Sequence, residues 1–215
     1  FGLDVICEKG RSNKYFIGER EFELPELKLL VDVVQSSKFI TYKKSKVLIK
    51  KIEKLTSVYE AKNLHRQVIV NDRVKTMNES IYYNVDAIHQ AIQLCMKVKF
   101  KYFDYTVDKQ LKFRKNGDFY CVDPYALTYT DENYYLIAYH NKYNDISHFR
   151  VDRMTDIEVS DEKQPEVKAF KDFNVAKYSK KVFQMFSGEM HRVELELDNS
   201  LINAVIDKFG KEISI

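Results

Sequence analysis

The side chains best suited to chemistry in this sequence are a histidine and two arginines, His148, Arg150 and Arg153. The surrounding pattern alternates as in a strand, which places His148 and Arg150 on the face opposite Phe149 and Val151. Arg153 follows at the exit of that strand. Because a guanidinium can make bidentate contacts with a phosphate, these residues predict a small basic site for an anionic ligand.

Three tyrosines are predicted to lie near this basic site: Tyr120, Tyr125 and Tyr134. An aromatic ring can stack on an unpaired base, a contact worth about 1–3 kcal/mol. Phosphate contacts and stacking together predict a single-stranded nucleic acid or a nucleotide as the ligand. Most of the 15 Tyr and 14 Phe residues are nevertheless expected in the core, and Tyr134 could equally be a packing anchor.

Catalytic chemistry finds little support in the sequence. The 5 histidines are scattered without metal-ligand spacing, and the 6 glycines form no phosphate-binding loop. No pair of carboxylates suggests acid–base catalysis. The cysteines Cys7, Cys95 and Cys121 are far apart, which favours a reduced, cytoplasmic chain. We therefore expect no metal site, no cofactor and no enzymatic activity.

The first 96 residues are patterned mainly as helices, after a β-ribbon or connecting strand at the N-terminus. Apolar residues recur at helical spacing, and residues that start helices precede each run. The predicted helices cover 24–35, 42–55, a short run after Ser57, and 85–96; Pro25 lies in the first turn of the first, and Thr41, Ser57 and Asn84 cap the others. Cys95 is expected to face inward. Residues 66–81 are predicted to be a loop with some helix.

Residues 97–160 change to the alternating pattern of strands. Val98, Phe100 and Tyr102 oppose three lysines, and Asn116-Gly117 is a strong turn signal. Further strands are predicted at 119–122 and 125–130, separated by Pro124, then at 134–139 and from 146. Five short strands joined by tight turns predict a small β-barrel. In such a barrel Arg150 could instead pair with a carboxylate such as Asp152 or Asp145, while Arg153 stabilises the barrel's end.

The remaining residues predict a small α/β unit. A charged linker is expected at 161–166, a helix at 174–186 and a strand at 191–197. Asp198 is predicted to cap a helix that runs to Phe209 and is closed by Gly210, before another strand from residue 211. A unit this small cannot bury its own apolar face.

Two stretches carry a resemblance to a known family. Tyr134-Tyr135-Leu136 with Ala138-Tyr139, and the run from His148 to Arg153 (HFRVDR), resemble the core signature of WYL domains. Pro124-Tyr125, with Leu127, resembles the approach to the same hairpin. Tyr134 stands where the family usually has Trp, and Tyr120 stands where it often has a basic residue.

The resemblance implies an α+β chain: a helical N-terminal region, a small Sm-like or SH3-like barrel and a partial α/β C-terminal extension. The implied segments are a wing tail and linker (1–23), a helical linker region (24–96), the WYL barrel (97–160), a helical linker (161–190) and the start of a WCX extension (191–215). It also implies the effector-sensing part of a transcriptional regulator, with the helix-turn-helix domain that binds DNA missing from this chain. Such regulators are commonly homodimers.

Charge and length set limits on partners. Residues 1–96 carry 16 basic and 12 acidic side chains, but residues 97–160 carry 10 of each, so any nucleic-acid site must be local. No window is apolar enough to span a membrane. Because residue 1 is Phe, we expect a fragment of a longer protein. A different class of function also fits, in which the barrel serves only protein–protein contact or dimerisation through strand edges.

Overall fold

The computed structural model of the protein describes residues 5–18, 21–64, 74–165 and 191–212. Five α-helices lie in these ranges: α1 (Leu24–Ser36), α2 (Tyr42–Glu53), α3 (Val58–Ala61), α4 (Ile81–Gln93) and α5 (Ile202–Phe209). The strands are β1 (Val5–Glu8), β2 (Lys14–Ile17), β3 (Met96–Tyr105), β4 (Leu111–Phe113), β5 (Tyr120–Thr130), β6 (Asn133–His140), β7 (Asp145–Arg150) and β8 (Met154–Lys163). Short 3-10 turns occupy Lys62–Leu64, Arg114–Gly117, Val151–Arg153 and Asn199–Leu201.

The helix starts follow the local chemistry of the sequence. The Thr41 side chain accepts the backbone N–H of Lys44 at 3.1 Å and caps α2, as predicted. The Ser57 side chain caps α3 in the same way, through the backbone N–H of Glu60. Leu27 and Val31 of α1 are buried together with Leu64, and Ile49 and Ile52 of α2 pack against them, so this helical region has a small apolar core of its own.

The predicted start of α4 was wrong. The helix begins at Ile81, and Asn84 lies inside it, 5% exposed, where its amide donates to the backbone carbonyl of Met154 at 3.0 Å. The Asn84 side chain bonds to a residue that is distant in sequence, Met154, and local capping rules cannot predict such a contact. Cys95 was also mispredicted: its left-handed backbone (φ 51°) ends the helix, and its side chain is exposed.

A curled antiparallel sheet forms the centre of the fold. Its strands pair in the order β4-β3-β5-β6-β7, and β8 also pairs with β3. The pattern missed β8, whose last three residues, 161–163, fall in the predicted charged linker. The two strands predicted on either side of Pro124 are one strand, β5. A register shift between Pro124 and Ala126 accommodates the proline, which has no N–H to donate.

The main core lies between this sheet and α4. Ile88 and Ala91 of the helix are fully buried against apolar residues of the strands. At its centre four aromatic rings pack edge to face or stacked: Phe100, Tyr102, Tyr120 and Phe149. The expectation that most aromatic residues fill the core is correct for this cluster but not in general, since ten aromatic residues among those described are exposed.

The C-terminal prediction was partly right. Asp198 accepts the backbone N–H of Ser200 at 2.8 Å, and α5 follows and ends before Gly210 (φ 83°), as expected. The strand predicted at 191–197 is not formed in the described part of the chain: those residues have no regular secondary structure, and Val193 is 71% exposed. Alternation alone does not make a strand when no partner supplies the hydrogen bonds. The helix predicted at 174–186 and the final strand's end, 213–215, lie outside the described residues.

Candidate functional site

A groove of about 1000 Å³ crosses the sheet where β6, β7 and the turn after β7 meet. Four of the six predicted site residues line it: Tyr120, His148, Arg150 and Arg153. Side chains that the sequence analysis did not select also line the groove, notably Tyr102, Arg114, His140 and Tyr143. The groove therefore combines cationic and aromatic side chains that are scattered in the sequence.

Arg150 is held by a bidentate ion pair. Its guanidinium donates to both carboxylate oxygens of Asp152, at 3.0 and 2.8 Å, and to the side-chain carbonyl of Asn133 at 2.8 Å. Burial disfavours its charged form, but the Asp152 carboxylate outweighs that effect and raises the pKa of Arg150 above its ordinary value. The pairing with Asp152 that the sequence left open is thus present in the fold.

Arg153 shares one carboxylate with a second arginine. Asp104 accepts from Arg153 at 3.1 Å and from two nitrogens of Arg114 at 2.6 and 3.2 Å. The hydrogen bond from Arg114, with the charges of both arginines, lowers the pKa of Asp104. Two guanidinium groups on one carboxylate leave one positive charge in excess at this side of the groove.

His148 contributes a half-buried imidazole rather than a charge. Burial lowers its pKa below the ordinary value of 6.5, and the nearby carboxylate of Asp145 only partly opposes the effect. A histidine with a lowered pKa is neutral at pH 7. The positive charge that the groove can offer a ligand at neutral pH therefore comes from arginine and lysine.

Tyr120 forms part of the groove wall, with its ring 8% exposed. Phe100 lies parallel to the ring at a centroid distance of 5.5 Å, and the ammonium of Lys115 lies 3.7 Å from the ring centroid. The Lys115 ammonium is also 3.4 Å from Nε2 of His140. These neighbours come from β3, from the turn after β4 and from the end of β6, and nothing in the local sequence pattern distinguishes them.

The other two predicted tyrosines lie away from the groove. Tyr134 packs between Phe39 and Tyr129, at centroid distances of 4.6 and 4.8 Å, and lines a second recess of about 360 Å³. Tyr125 is half-buried on β5 and lines neither of these two recesses in the described part of the chain. The groove and the second recess share three lining residues: Lys38, Asn133 and Arg150.

The turn that carries the site is fixed to the start of α4. The amide of Asn78 donates to the backbone carbonyls of Asp152 and Met154, at 3.1 and 3.0 Å. Asn84 donates to the same Met154 carbonyl. The backbone on either side of Arg153 is therefore tied to the helical region by two amide side chains.

The described residues include neither a cluster of metal-ligand side chains nor a long apolar helix. Within them, no three His, Cys, Asp or Glu side chains form a group that could hold a metal ion. In the same ranges, every helix is too short or too polar to cross a membrane.

Comparison with known proteins identifies one domain. Residues 83–159 match the family model of the WYL domain, which covers α4 to most of β8 and contains all six predicted site residues. A search of curated proteins found no match. Among solved structures, the proteasome accessory factor B/C (PafBC) of Arthrobacter aurescens is similar at 18% identity and a TM-score of 0.33, over 72% of this chain. The similar region spans 22% of the length of that protein.

Proposed function

We propose that this chain is the effector-sensing part of a transcriptional regulator whose WYL domain binds a single-stranded nucleic acid or a nucleotide. The observation that carries the proposal is the groove within the WYL domain, which gathers Arg150, Arg153 and Arg114 beside aromatic side chains. Arginine and aromatic rings are the combination that recognises phosphates and bases in single strands.

The ion pairs in the groove are compatible with this role. A guanidinium has five N–H donors, and Arg153 uses one of them on Asp104 in the contacts described above. The carboxylates hold Arg114, Arg150 and Arg153 in fixed positions, so a ligand phosphate meets side chains that are already ordered. The excess positive charge around Asp104 makes that side the favoured place for a phosphate.

Effector binding would reach the rest of the regulator through Arg150 and the turn that follows it. Arg150 lines both the groove and the recess against the α1–α2 connection, and Asn78 ties the following turn to α4. A ligand that moves Arg150 therefore changes the contact between sheet and helices. Coupling requires that the ligand bind one of the two arrangements more tightly.

The wider assignments belong to the same proposal. The matched segment would form the Sm-like or SH3-like barrel, flanked by the helical linker and the start of a WCX extension. The DNA-binding domain would lie outside this chain, and the regulator would act as a cytoplasmic homodimer without enzymatic activity or cofactor.

One observation favours the second candidate, a WYL domain that serves only as a protein–protein or dimerisation module. Arg150 already has its charge satisfied within the fold by Asp152. On that hypothesis Arg150→Gln would lower the melting temperature or change the molecular mass in solution. Neither the wild type nor the variant would bind an oligonucleotide.

The test is fluorescence anisotropy of a 3′-labelled oligothymidylate, titrated with the chain at several salt concentrations. We expect Arg153→Gln to weaken binding about tenfold and to reduce the salt slope by about 0.7, the contribution of one phosphate on a single strand. Arg192→Gln is the matched control, because that side chain is 89% exposed and does not line the groove. A folded wild-type chain that binds no oligonucleotide or mononucleotide would refute the proposal.

A further inference from the structure

At the Tyr143 end of the groove, a lysine and a histidine approach each other in an unusual way. Nζ of Lys115 lies 3.4 Å from Nε2 of His140, whose residue is only 4% exposed. The other ring nitrogen, Nδ1, accepts the backbone N–H of Lys142 at 3.3 Å. Nδ1 therefore carries no proton in this arrangement.

The tautomer follows from that bond. A neutral imidazole has one N–H, so its proton must be on Nε2, on the side of Lys115. An ammonium has donors only, so two donors face each other across 3.4 Å without an acceptor between them. Burial lowers the pKa of Lys115, the charge of Lys142 lowers it further, and Asp118 only partly compensates. The Nε2–H of His140 therefore has no acceptor in the described part of the chain, and the Lys115 ammonium has only the face of the Tyr120 ring, with its centroid at 3.7 Å.

Among the described residues, no carboxylate pairs with either group. In the described residues, no carboxylate oxygen lies within ion-pair distance of Lys115, whose ammonium instead lies over the ring of Tyr120. The groups that face His140 are Lys115, the Lys142 backbone, and the rings of Tyr120 and Tyr143 at centroid distances of 6.0 and 4.6 Å. Asp145 is the residue opposite His140 in the register of β6 and β7, a backbone relation and not an ion pair.

The backbone that presents Lys115 is itself unusual. Lys115 and Asn116 both have left-handed backbone angles (φ 50° and 53°), and Gly117 follows at φ 89°. Non-glycine residues seldom adopt this conformation, and two in succession carry a conformational cost.

We propose that Lys115 and His140 form a subsite that binds one phosphate oxygen of the ligand, between the ammonium and the Nε2–H. The inference rests on the proposed function for the source of that phosphate, but the subsite is defined by its own geometry. Lys115 directly follows Arg114 in the turn after β4. His140 lies at the opposite end of the β6–β7 pair from Arg150, because His140 is opposite Asp145 and Arg150 is opposite Tyr135. A ligand held at both places would span the groove.

The first experiment uses inorganic phosphate as the probe and the ring resonances of His140 as the readout, assigned by comparison with His140→Phe. In the wild-type chain we expect a saturable shift on addition of phosphate. Lys115→Met should weaken that binding about ten- to hundredfold, as for a lost charged hydrogen bond. Lys112→Met is the control, since that lysine is exposed on the neighbouring strand β4.

The second experiment repeats the oligothymidylate titration with Lys115→Met and His140→Phe, after a thermal melt shows that each variant is folded. His140→Phe keeps an aromatic ring against Tyr120 and Tyr143 but removes the donor. If the oligonucleotide binds equally well to both variants and the wild type, the subsite is refuted and the proposed function stands. If phosphate shifts the ring resonances of His140 but no oligonucleotide or mononucleotide binds, the subsite stands and the proposed function is refuted. If neither probe binds, both are refuted.

Discussion

The carbonyl of Met154 provides a sharp test of how the site is held. It accepts hydrogen bonds from Asn84 and from Asn78, each at 3.0 Å, so both of its lone pairs are used. In Asn84→Ala, the buried bond is lost at a cost of about 2 kcal/mol. Alanine regains about 0.6 kcal/mol through its higher helix propensity. The expected net loss in the free energy of unfolding is therefore about 1.5 kcal/mol.

Asn78→Ala should destabilise the fold separately, because it removes bonds to Asp152 and Met154. In the double variant the Met154 carbonyl has lost both amide partners. The double loss should therefore exceed the sum of the single losses by about 0.5 kcal/mol or more.

The assay is denaturant unfolding, with the m-value checked to be unchanged between variants. In thermal melts, Asn84→Ala should lower the melting temperature by about 3–6 °C. Gln90→Ala is the matched control, because Gln90 lies on the exposed face of the same helix and bonds only to Asp86. Its effect should stay within about 0.5 kcal/mol. If Asn84→Ala costs no more than this control, or if the double variant is additive, the shared acceptor does not stabilise the turn.

Two other predictions concern charged groups. The pKa of Asp104 is lowered in the fold by Arg114, so its stabilising contribution is complete above its ordinary pKa of 3.8 and is lost as the pH falls through the lowered value. The difference in unfolding free energy between wild type and Asp104→Asn should shrink over that acid range, and a constant difference would contradict the assignment. Lys75 is 7% exposed and its ammonium donates to the carbonyls of Val34 and Ser37, at 3.1 and 2.6 Å, at the end of α1. Lys75→Met should cost about 2 kcal/mol in chemical denaturation, whereas Lys46→Met, on an exposed face of α2, should be nearly neutral.

The sequence predicted the parts of the fold that depend on local chemistry. Thr41 and Ser57 cap helices because a hydroxyl three residues before a free N–H is sufficient, whatever the rest of the chain does. The central strand β6 is buried, as its apolar run requires. Asn84 and β8 were missed because their partners, the Met154 carbonyl and β3, lie far away in sequence.

The site was predictable only along one strand. Alternation placed His148 and Arg150 together, and both line the groove with Arg153. Arg114 and Lys115 reach the same region from the turn after β4 and His140 from the end of β6, and no spacing in the sequence relates them to Arg150. Tyr134 was predicted to lie near the basic residues, but its ring packs against Phe39 and lines the second recess, which agrees with the alternative of a packing anchor.

The pairing of β3 with β8 has a consequence for how the domain is made. Strand β3, the first of this sheet along the chain, pairs with β8, the last. Their register runs from Met96 opposite Lys163 to Tyr102 opposite Met154. During synthesis β3 to β7 emerge before β8, so until then β3 lacks that neighbour and Asn84 lacks its carbonyl. Closing such a long loop is slow, because its entropy must be lost before the contacts form. The bonds from Asn78 and Asn84 to Met154 can therefore form only once the start of β8 is in place beside β3.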